Sequence, residues 1–338
     1  MGATIKDIAK MVGVSTSTVS RVINGNTAIS QQTRIRIQEA MKELNYHPNS
    51  RARNFANGIT NTIALVIDAE NETTFANSFF NRSVYAIERA AQSRGYNLLI
   101  TNDRGENGTS VSTLVYEKKV DGLILPSSSI RQKLIELLEQ EQFPYVVYGG
   151  SEFASEPFSW VDVNNLAGSK KAVKHLWSQG YRKIAFAFDG NMTVFSNNRI
   201  EGYREAFLEC DKNAVPMVFN CEGNTESMFD NVTQAVRNKK VDAILCSDNM
   251  IAYHVLTKVC ETGILVPEQF GIVTFDNYPL AEYMIPPLTA VDVDTYQLGK
   301  KSADILFGII NGEVTEKKTE WIDTELITRD SSKRKKEE

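Results

Sequence analysis

Residues 4–24, TIKDIAKMVGVSTSTVSRVIN, read as two short amphipathic helices hinged at Gly13. Ile5, Ile8, Ala9 and Val12 recur at i, i+3, i+4 and i+7, which puts them on one apolar face of an α-helix. Thr4 stands at the N-cap position with Asp7 three residues on, a Thr-x-x-Asp variant of the capping box. Gly13 suits the turn that ends this helix, because it takes positive φ without steric cost. Ser15 is the expected cap of the second helix, whose buried side is Val19, Val22 and Ile23. Helical geometry then turns Thr16, Ser17, Ser20 and Arg21 outward. Small hydroxyls and one arginine let a helix come close to a duplex and still make hydrogen bonds. The pair therefore reads as a helix-turn-helix, its second helix the candidate for the major groove.

Charge supports this reading once its distribution is considered. The 338-residue chain carries a net charge of −5, which by itself argues against nucleic acid. Residues 1–58, however, hold eight basic residues against three acidic ones, a balance of +5, and the remainder is then −10. A small basic head on a large acidic body implies that the head alone meets phosphates. Cys210, Cys221, Cys246 and Cys260 are widely spaced and form no Cys-x-x-Cys pair, so neither a metal site nor a disulfide framework is expected. No apolar signal segment or membrane-length run is present in the sequence, and a cytoplasmic protein with no membrane partner is expected.

Beyond the second helix, Ser30 is placed to cap a third, with Ile37, Ala40, Met41 and Leu44 at helical spacing, ending at LNYHPN before Pro48. Residues 49–57, NSRARNFAN, are long enough for a very short helix that is marginal alone in water, so they read as a linker that folds only when held. From Thr62 the pattern changes to buried strands alternating with amphipathic helices. The expected strands are TIALVID (62–68), YNLLIT (96–101), GLILP (122–126), PYVVYG (144–149), WVDV (160–163), KIAFAF (183–188), PMVFN (216–220), AILCS (243–247) and GIVTF (271–275). Such alternation is the signature of parallel α/β sheets. The polar break GGSEFASEPFS (149–159) divides them into two lobes, with a ligand cleft implied between the strands' carboxyl ends.

Enzyme chemistry finds no support. No G-x-G-x-x-G follows a strand, and no phosphate-loop motif is present. His47, His175 and His254 stand in dissimilar settings, with no nucleophile–base constellation. No catalytic residue, metal or cofactor is expected.

Taken together, TIKDIAKMVGVSTSTVSRVIN, LNYHPN, the N-x-x-A-R linker at Asn49, Ala52 and Arg53, R-x-x-G-Y at Arg199, Gly202 and Tyr203, VPEQFGIVTFDN (266–277) and PPLTAVDVD (286–294) resemble the lactose-repressor (LacI/GalR) family of transcription regulators. The resemblance covers essentially the whole chain. NSFF (77–80), QFPYVVYG and SWVDVNN look closest to the maltose/maltodextrin-operon repressor branch. The family implies an α/β protein with an all-α helix-turn-helix head and a two-lobed, periplasmic-binding-protein-like core of parallel sheets. The expected division is a head at 1–48, a hinge helix or linker at 49–60 and a core at 61–338. Within the core, one lobe takes about 61–160 plus 291–318 and the other about 161–290 plus 319–330.

The resemblance also implies a homodimer that reads a palindromic operator DNA. Ser15, Thr16, Ser17, Ser20 and Arg21 would be its recognition-helix contacts, with Thr16, Ser17 and Arg21 at base edges. Ile5, Lys6, Asn24, Ser30 and Thr33 would position the backbone on phosphates. Phe55 stands where the family usually carries a minor-groove Leu wedge, the alternative being that it packs two linkers together. In the core, a sugar effector would sit between the lobes. It needs planar groups for adjacent hydroxyls and flat apolar faces for its C–H surfaces. Arg199 and Asp276 are the polar candidates, with Asp248 either a ligand contact or a helix N-cap, and Asp162 and Asn164 as hydroxyl partners. Phe79 or Phe80 would stack on the effector, with Trp160 and Phe195 as further aromatics. Bound sugar would release the operator, whereas the alternative logic is a catabolite regulator activated by a phosphocarrier protein or a small-molecule corepressor. The C-terminal WIDTELITRDSSKRKKEE lacks sustained heptads, which favours a dimer over a tetramer.

Overall fold

A computed structural model describes residues 3–23, 28–46, 59–67, 78–102, 111–153, 155–221 and 225–334, the side chains of Ser78, Phe79 and Thr225 excepted. Asn24, Asn49, Ala52, Arg53 and Phe55, and with them the expected linker helix, lie outside the described residues. The chain divides into two compact units, Met1–Thr60 and Asn61–Glu338.

The first unit contains α1 (Ile5–Val12), α2 (Thr16–Ile23) and α3 (Gln31–Glu43). Gly13 ends α1 in the left-handed conformation at φ 73°, as a tight helix stop requires. The Asp7 carboxylate reaches back to accept the Thr4 N–H at 2.8 Å and the Thr4 hydroxyl at 2.7 Å. Those bonds hold the Asp7 carboxyl below its usual range. Ser15 Oγ accepts the Thr18 N–H at 3.2 Å and Ser30 Oγ accepts the Thr33 N–H at 3.3 Å, so both expected caps form. Ile8, Ala9, Val12, Val19, Val22, Ile37 and Ala40 close a small core. Arg36 Nη2 donates to the Val12 carbonyl at 2.7 Å, which ties α3 to the end of α1.

In the second unit the order is β1 (Thr62–Ile67), α4 (Ser78–Gln92), β2 (Asn97–Asn102), α5 (Val111–Tyr116), β3 (Gly122–Pro126), α6 (Gln132–Gln140), β4 (Tyr145–Tyr148) and β5 (Trp160–Val163). Then come α7 (Asn165–Ser178), β6 (Ile184–Phe188), α8 (Val194–Cys210), β7 (Met217–Asn220), α9 (Thr225–Arg237), β8 (Ala243–Cys246), α10 (Asn249–Glu261) and β9 (Gly271–Phe275). The last elements are α11 (Pro279–Tyr283), β10 (Thr289–Val293), α12 (Thr295–Ile310), β11 (Thr319–Ile322) and β12 (Thr324–Ile327).

These strands form two six-stranded sheets, ordered β11-β5-β4-β3-β1-β2 and β12-β10-β9-β8-β6-β7. Every pairing in the first is parallel, and in the second only β12 runs antiparallel, against β10. Central strands such as β3, β6 and β8 are covered on both faces, which is why they read as unbroken apolar runs.

The lobe boundaries differ from the sequence expectation. WVDV, expected to open the second lobe, is β5 and pairs with β4 and β11 in the first sheet. Residues 319–322, expected in the second lobe, are β11 of the first sheet, and residues 291–293, expected in the first, belong to β10 of the second. The polar stretch 149–159 is therefore a loop within one lobe. The chain crosses between sheets three times, after Val163, after Val293 and after Ile322. Each crossing directly follows a strand, so no composition change marks it. β10, β11 and β12 were absent from the expected strands because TAVDV, TEWI and TELI are short and each carries two polar residues, so none is a continuous apolar run.

Close helix crossings fix the layers. A Cβ on Gly202 of α8 would stand 2.3 Å from the Leu166 carbonyl oxygen of α7, and one on Gly299 of α12 would stand 2.4 Å from the Ser83 carbonyl oxygen of α4. Glycine at these two positions lets backbone meet backbone. The Tyr203 hydroxyl accepts the Met217 N–H at 2.9 Å and donates to the Ile184 carbonyl at 2.9 Å, tying α8 to β7 and β6. The motif R-x-x-G-Y is thus a packing device as well as a carrier of Arg199.

Candidate DNA-binding face and effector cleft

The outward face of α2 is built as its periodicity requires. Val19 and Val22 are buried, whereas Thr16, Ser17 and Arg21 are exposed and Ser20 is half-buried. Ser15 Oγ lies 2.8 Å from Ser17 Oγ and 2.9 Å from Thr18 Oγ1, so the cap residue also draws two hydroxyls into one network. Thr18 is thereby engaged within the helix. Lys6 and Ser30 are exposed, and Ile5 and Thr33 half-buried. Ser30 Oγ lies 2.9 Å from Thr33 Oγ1 in a second cap network.

The expected effector site centres on Arg199, on the inner face of α8 and only 5% exposed. Nε donates to Asn165 Oδ1 at 2.8 Å and Nη1 to the Ser247 carbonyl at 2.6 Å. Nη2 faces Asp276 Oδ1 at 3.7 Å, an ion pair beyond hydrogen-bond reach. The guanidinium carbon lies 4.0 Å from the Phe275 ring centroid and 5.3 Å from that of Phe195. Burial pushes the Arg199 pKa down, opposed by the carboxylates of Asp276, Asp248 and Asp162, and the group remains a cation. Asp276 holds a left-handed backbone at φ 69°, a conformation aspartate adopts more readily than most residues. Burial pushes its carboxyl up to about 6; Arg199 opposes this, and Asp248 and Asp292 reinforce it.

Two tyrosines complete the polar setting. Tyr148, at the end of β4, donates to Ser83 Oγ at 2.7 Å, and Ser83 Oγ donates to the Thr295 carbonyl at 2.8 Å. Tyr278 follows Asp276 by two residues. Burial and the Asp276 charge raise its pKa, and Tyr148, Arg199 and Arg82 also act on it. The first and second lobes therefore both face this hydroxyl.

The other expected contacts divide. Phe195 is 48% exposed over Arg199, at the rim of the site. Asp248 is the N-cap of α10, accepting the Met250 and Ile251 N–H groups at 2.8 and 2.9 Å, so its capping alternative is the one the structure forms. Asn164 caps α7 by accepting the Ala167 N–H at 3.1 Å. Asp162 is buried and accepts the Val163 N–H at 2.6 Å and the Ser151 N–H at 3.1 Å, which pins the 149–159 loop to β5. Trp160 is displaced from the expected site: it is 3% exposed inside the first lobe's core, edge-on to Trp321 at 5.1 Å. Trp160 opens β5 at the end away from the strand's carboxyl terminus, and its ring packs in one layer with residues of α5 and α6. Phe80 packs against the main hydrophobic cluster, and the Phe79 side chain lies outside the described residues.

Sequence reasoning missed Asn165, the Ser247 carbonyl, Phe275, Tyr148 and Tyr278. Each lies in or just after a strand end, as a ligand of such a sheet requires. That position was the available signal, but it does not say which neighbour Arg199 meets.

Residues 4–49 match the family of bacterial regulatory proteins, lacI family, and residues 173–332 match the periplasmic binding protein-like domain. The chain is 32% identical over 336 residues to the HTH-type transcriptional regulator CelR of Thermobifida fusca, covering 97% of this chain and 98% of that one. It is 31% identical over 339 residues to the HTH-type transcriptional repressor PurR of Vibrio cholerae serotype O1 (strain M66-2), covering 98% of each. Among solved structures, the transcriptional regulator CelR–cellobiose complex aligns with a TM-score of 0.68 at 29% identity, covering 97% of this chain and 99% of that one.

Proposed function

The chain belongs to the LacI family of bacterial transcriptional regulators, and from that premise we propose that α2 reads a palindromic operator which a sugar bound beside Arg199 releases. The observation that carries the proposal is the pairing, in one chain, of an exposed hydroxyl-and-arginine helix face with a buried guanidinium–carboxylate pair flanked by aromatic rings. Thr16, Ser17 and Arg21 take the base edges, while Ser15, Ser20, Ile5, Lys6, Ser30 and Thr33 set the register on the backbone. Asn24, Asn49, Ala52, Arg53 and Phe55 extend that contact. Arg199 and Asp276 hold adjacent hydroxyls of the sugar, and Phe195 meets its C–H face.

Two copies are needed to read a palindrome. Tyr283 is 78% exposed and Ile285 90% exposed, beside Tyr253 and Leu280, a patch of apolar surface suited to a second copy of the chain. For the effector, the CelR complex with cellobiose supports a disaccharide. CelR and PurR are not specifically maltose-branch proteins, so cellobiose takes precedence over the maltose or maltodextrin suggested by short strings.

The test is a mobility-shift titration at fixed salt, using duplexes selected by the purified protein from a random pool. Release by cellobiose, or by maltose, is the expected result. Binding undisturbed by either sugar but tightened by a purine base would replace the inducer logic with a corepressor logic.

A further inference from the structure

The inference rests on the reading of the interlobe cleft as a sugar site. The Tyr278 hydroxyl is buried, and it has no hydrogen-bond partner among the described residues. Asp276 Oδ1 is in the same condition, since Arg199 Nη2 stands 3.7 Å away. Buried polar atoms are nearly always paired, so one unpaired donor and one unpaired acceptor two residues apart need an account. No neighbouring group among the described residues supplies it. Tyr148 gives its proton to Ser83, Arg199 commits Nε to Asn165 and Nη1 to the Ser247 carbonyl, and its Nη2 faces Asp276 Oδ1 from beyond hydrogen-bond reach. Asp248 Oδ1 serves the start of α10 and Oδ2 accepts the Ser247 hydroxyl, while the oxygens of Asp162 serve β5 and its loop.

We propose that Tyr278 is a specificity-determining residue of the cleft, its hydroxyl donating to an oxygen of a neutral polyhydroxy ligand whose own hydroxyl donates to Asp276 Oδ1. A sugar hydroxyl both accepts and donates, so a pair of adjacent hydroxyls satisfies both orphan atoms together. The charge of the site selects the neutral form. Three carboxylates, Asp162, Asp248 and Asp276, act on one guanidinium, two of whose five N–H donors are bonded within the protein. A phosphorylated sugar would bring further negative charge into a setting where carboxylates already outnumber that cation three to one.

Calorimetric titration of the full chain with cellobiose, maltose and glucose 6-phosphate, for the unmodified protein and for Tyr278→Phe, tests the proposal, alongside thermal melts without ligand. The expected result is that a disaccharide binds, that glucose 6-phosphate does not, and that Tyr278→Phe binds the disaccharide at least tenfold more weakly. The variant should also melt no lower than the parent, because it loses an unpaired hydroxyl. Unchanged disaccharide affinity in Tyr278→Phe would overturn the role of Tyr278 and leave the sugar reading standing. A clearly lower melting temperature for the variant would show the hydroxyl to be paired in the free protein, and overturn the role as well. Glucose 6-phosphate bound as well as the disaccharide overturns the neutral-ligand selection. If neither disaccharide binds the parent, the sugar reading falls and takes the proposal with it.

Discussion

Thr16, Ser17 and Arg21 stand in water on a helix whose opposite face closes the core of the head, whereas Arg199 lies 5% exposed with Nε and Nη1 held by Asn165 and Ser247. In the head, one short helix supplies both the packing and the functional face, separated only by rotation about its axis. In the core, the functional groups come from the ends of β4, β8 and β9 and from α8, and packing has to bring them together. The first arrangement keeps its polar atoms solvated until DNA arrives. The second has already withdrawn them from water, and the protein bears the desolvation that leaves Asp276 near 6.

That contrast can be broken at four places. Gly202→Val, which forces a side chain against the Leu166 carbonyl, should destabilise the core by about 3 kcal/mol, seen in calorimetry as a lowered core transition with the head's unchanged. Sugar affinity should fall with it, since α7 carries Asn165 and α8 carries Arg199. The converse is Val19→Ala, expected to cost the head about 2 kcal/mol while leaving sugar binding intact. Circular dichroism of the isolated head segment, compared with sugar titration of the full chain, separates the two. Arg21→Ala touches neither core, so it should weaken operator binding by about 1.5 kcal/mol, roughly tenfold, with no change in melting.

The smallest effect expected lies in pH. The Asp276 carboxyl is pushed up to about 6 from its usual 3.8. Between those values the folded chain keeps a proton that the unfolded chain has released, so this group makes stability fall as pH rises from about 4 to about 6, and adds no slope above. The part owed to Asp276 should be about 1 kcal/mol once the softness of the protein interior is allowed for. Asp276→Asn should remove it, which urea denaturation at pH 4.5 and pH 7 would show. Equal pH dependence in parent and variant would mean that the carboxylate is better solvated than its burial implies.

Much of the fold was legible along the chain. The helix-turn-helix followed from residues 4–24, because apolar spacing, caps and Gly13 all act within one turn of their neighbours. The nine expected strands all formed, since buried strands of a parallel sheet are continuous apolar runs. The edge strand β11 was not legible: Trp321 is half exposed, and Glu320 and Lys318 flank it with charge, so the segment reads as loop. Nor was the assignment of Asp248 between cap and ligand, because both uses want the same carboxylate just after a strand. Trp160 was misplaced because it opens β5 rather than closing it, at the end of the strand away from the expected ligand.

What the sequence by itself determined is the class of each region: an exposed hydroxyl-and-arginine helix at one end and parallel α/β sheets after it. Periodicity and capping are local, so a single chain segment carries all of their information. Only the tertiary structure decided which lobe each crossing strand joins, that Asn165 and the Ser247 carbonyl hold Arg199, and that Tyr278 and Asp276 have atoms unpaired among the described residues. Those facts depend on contacts between residues tens of positions apart, such as Arg199 with Asn165 and with Asp276, and no local pattern encodes which partner a buried donor will reach.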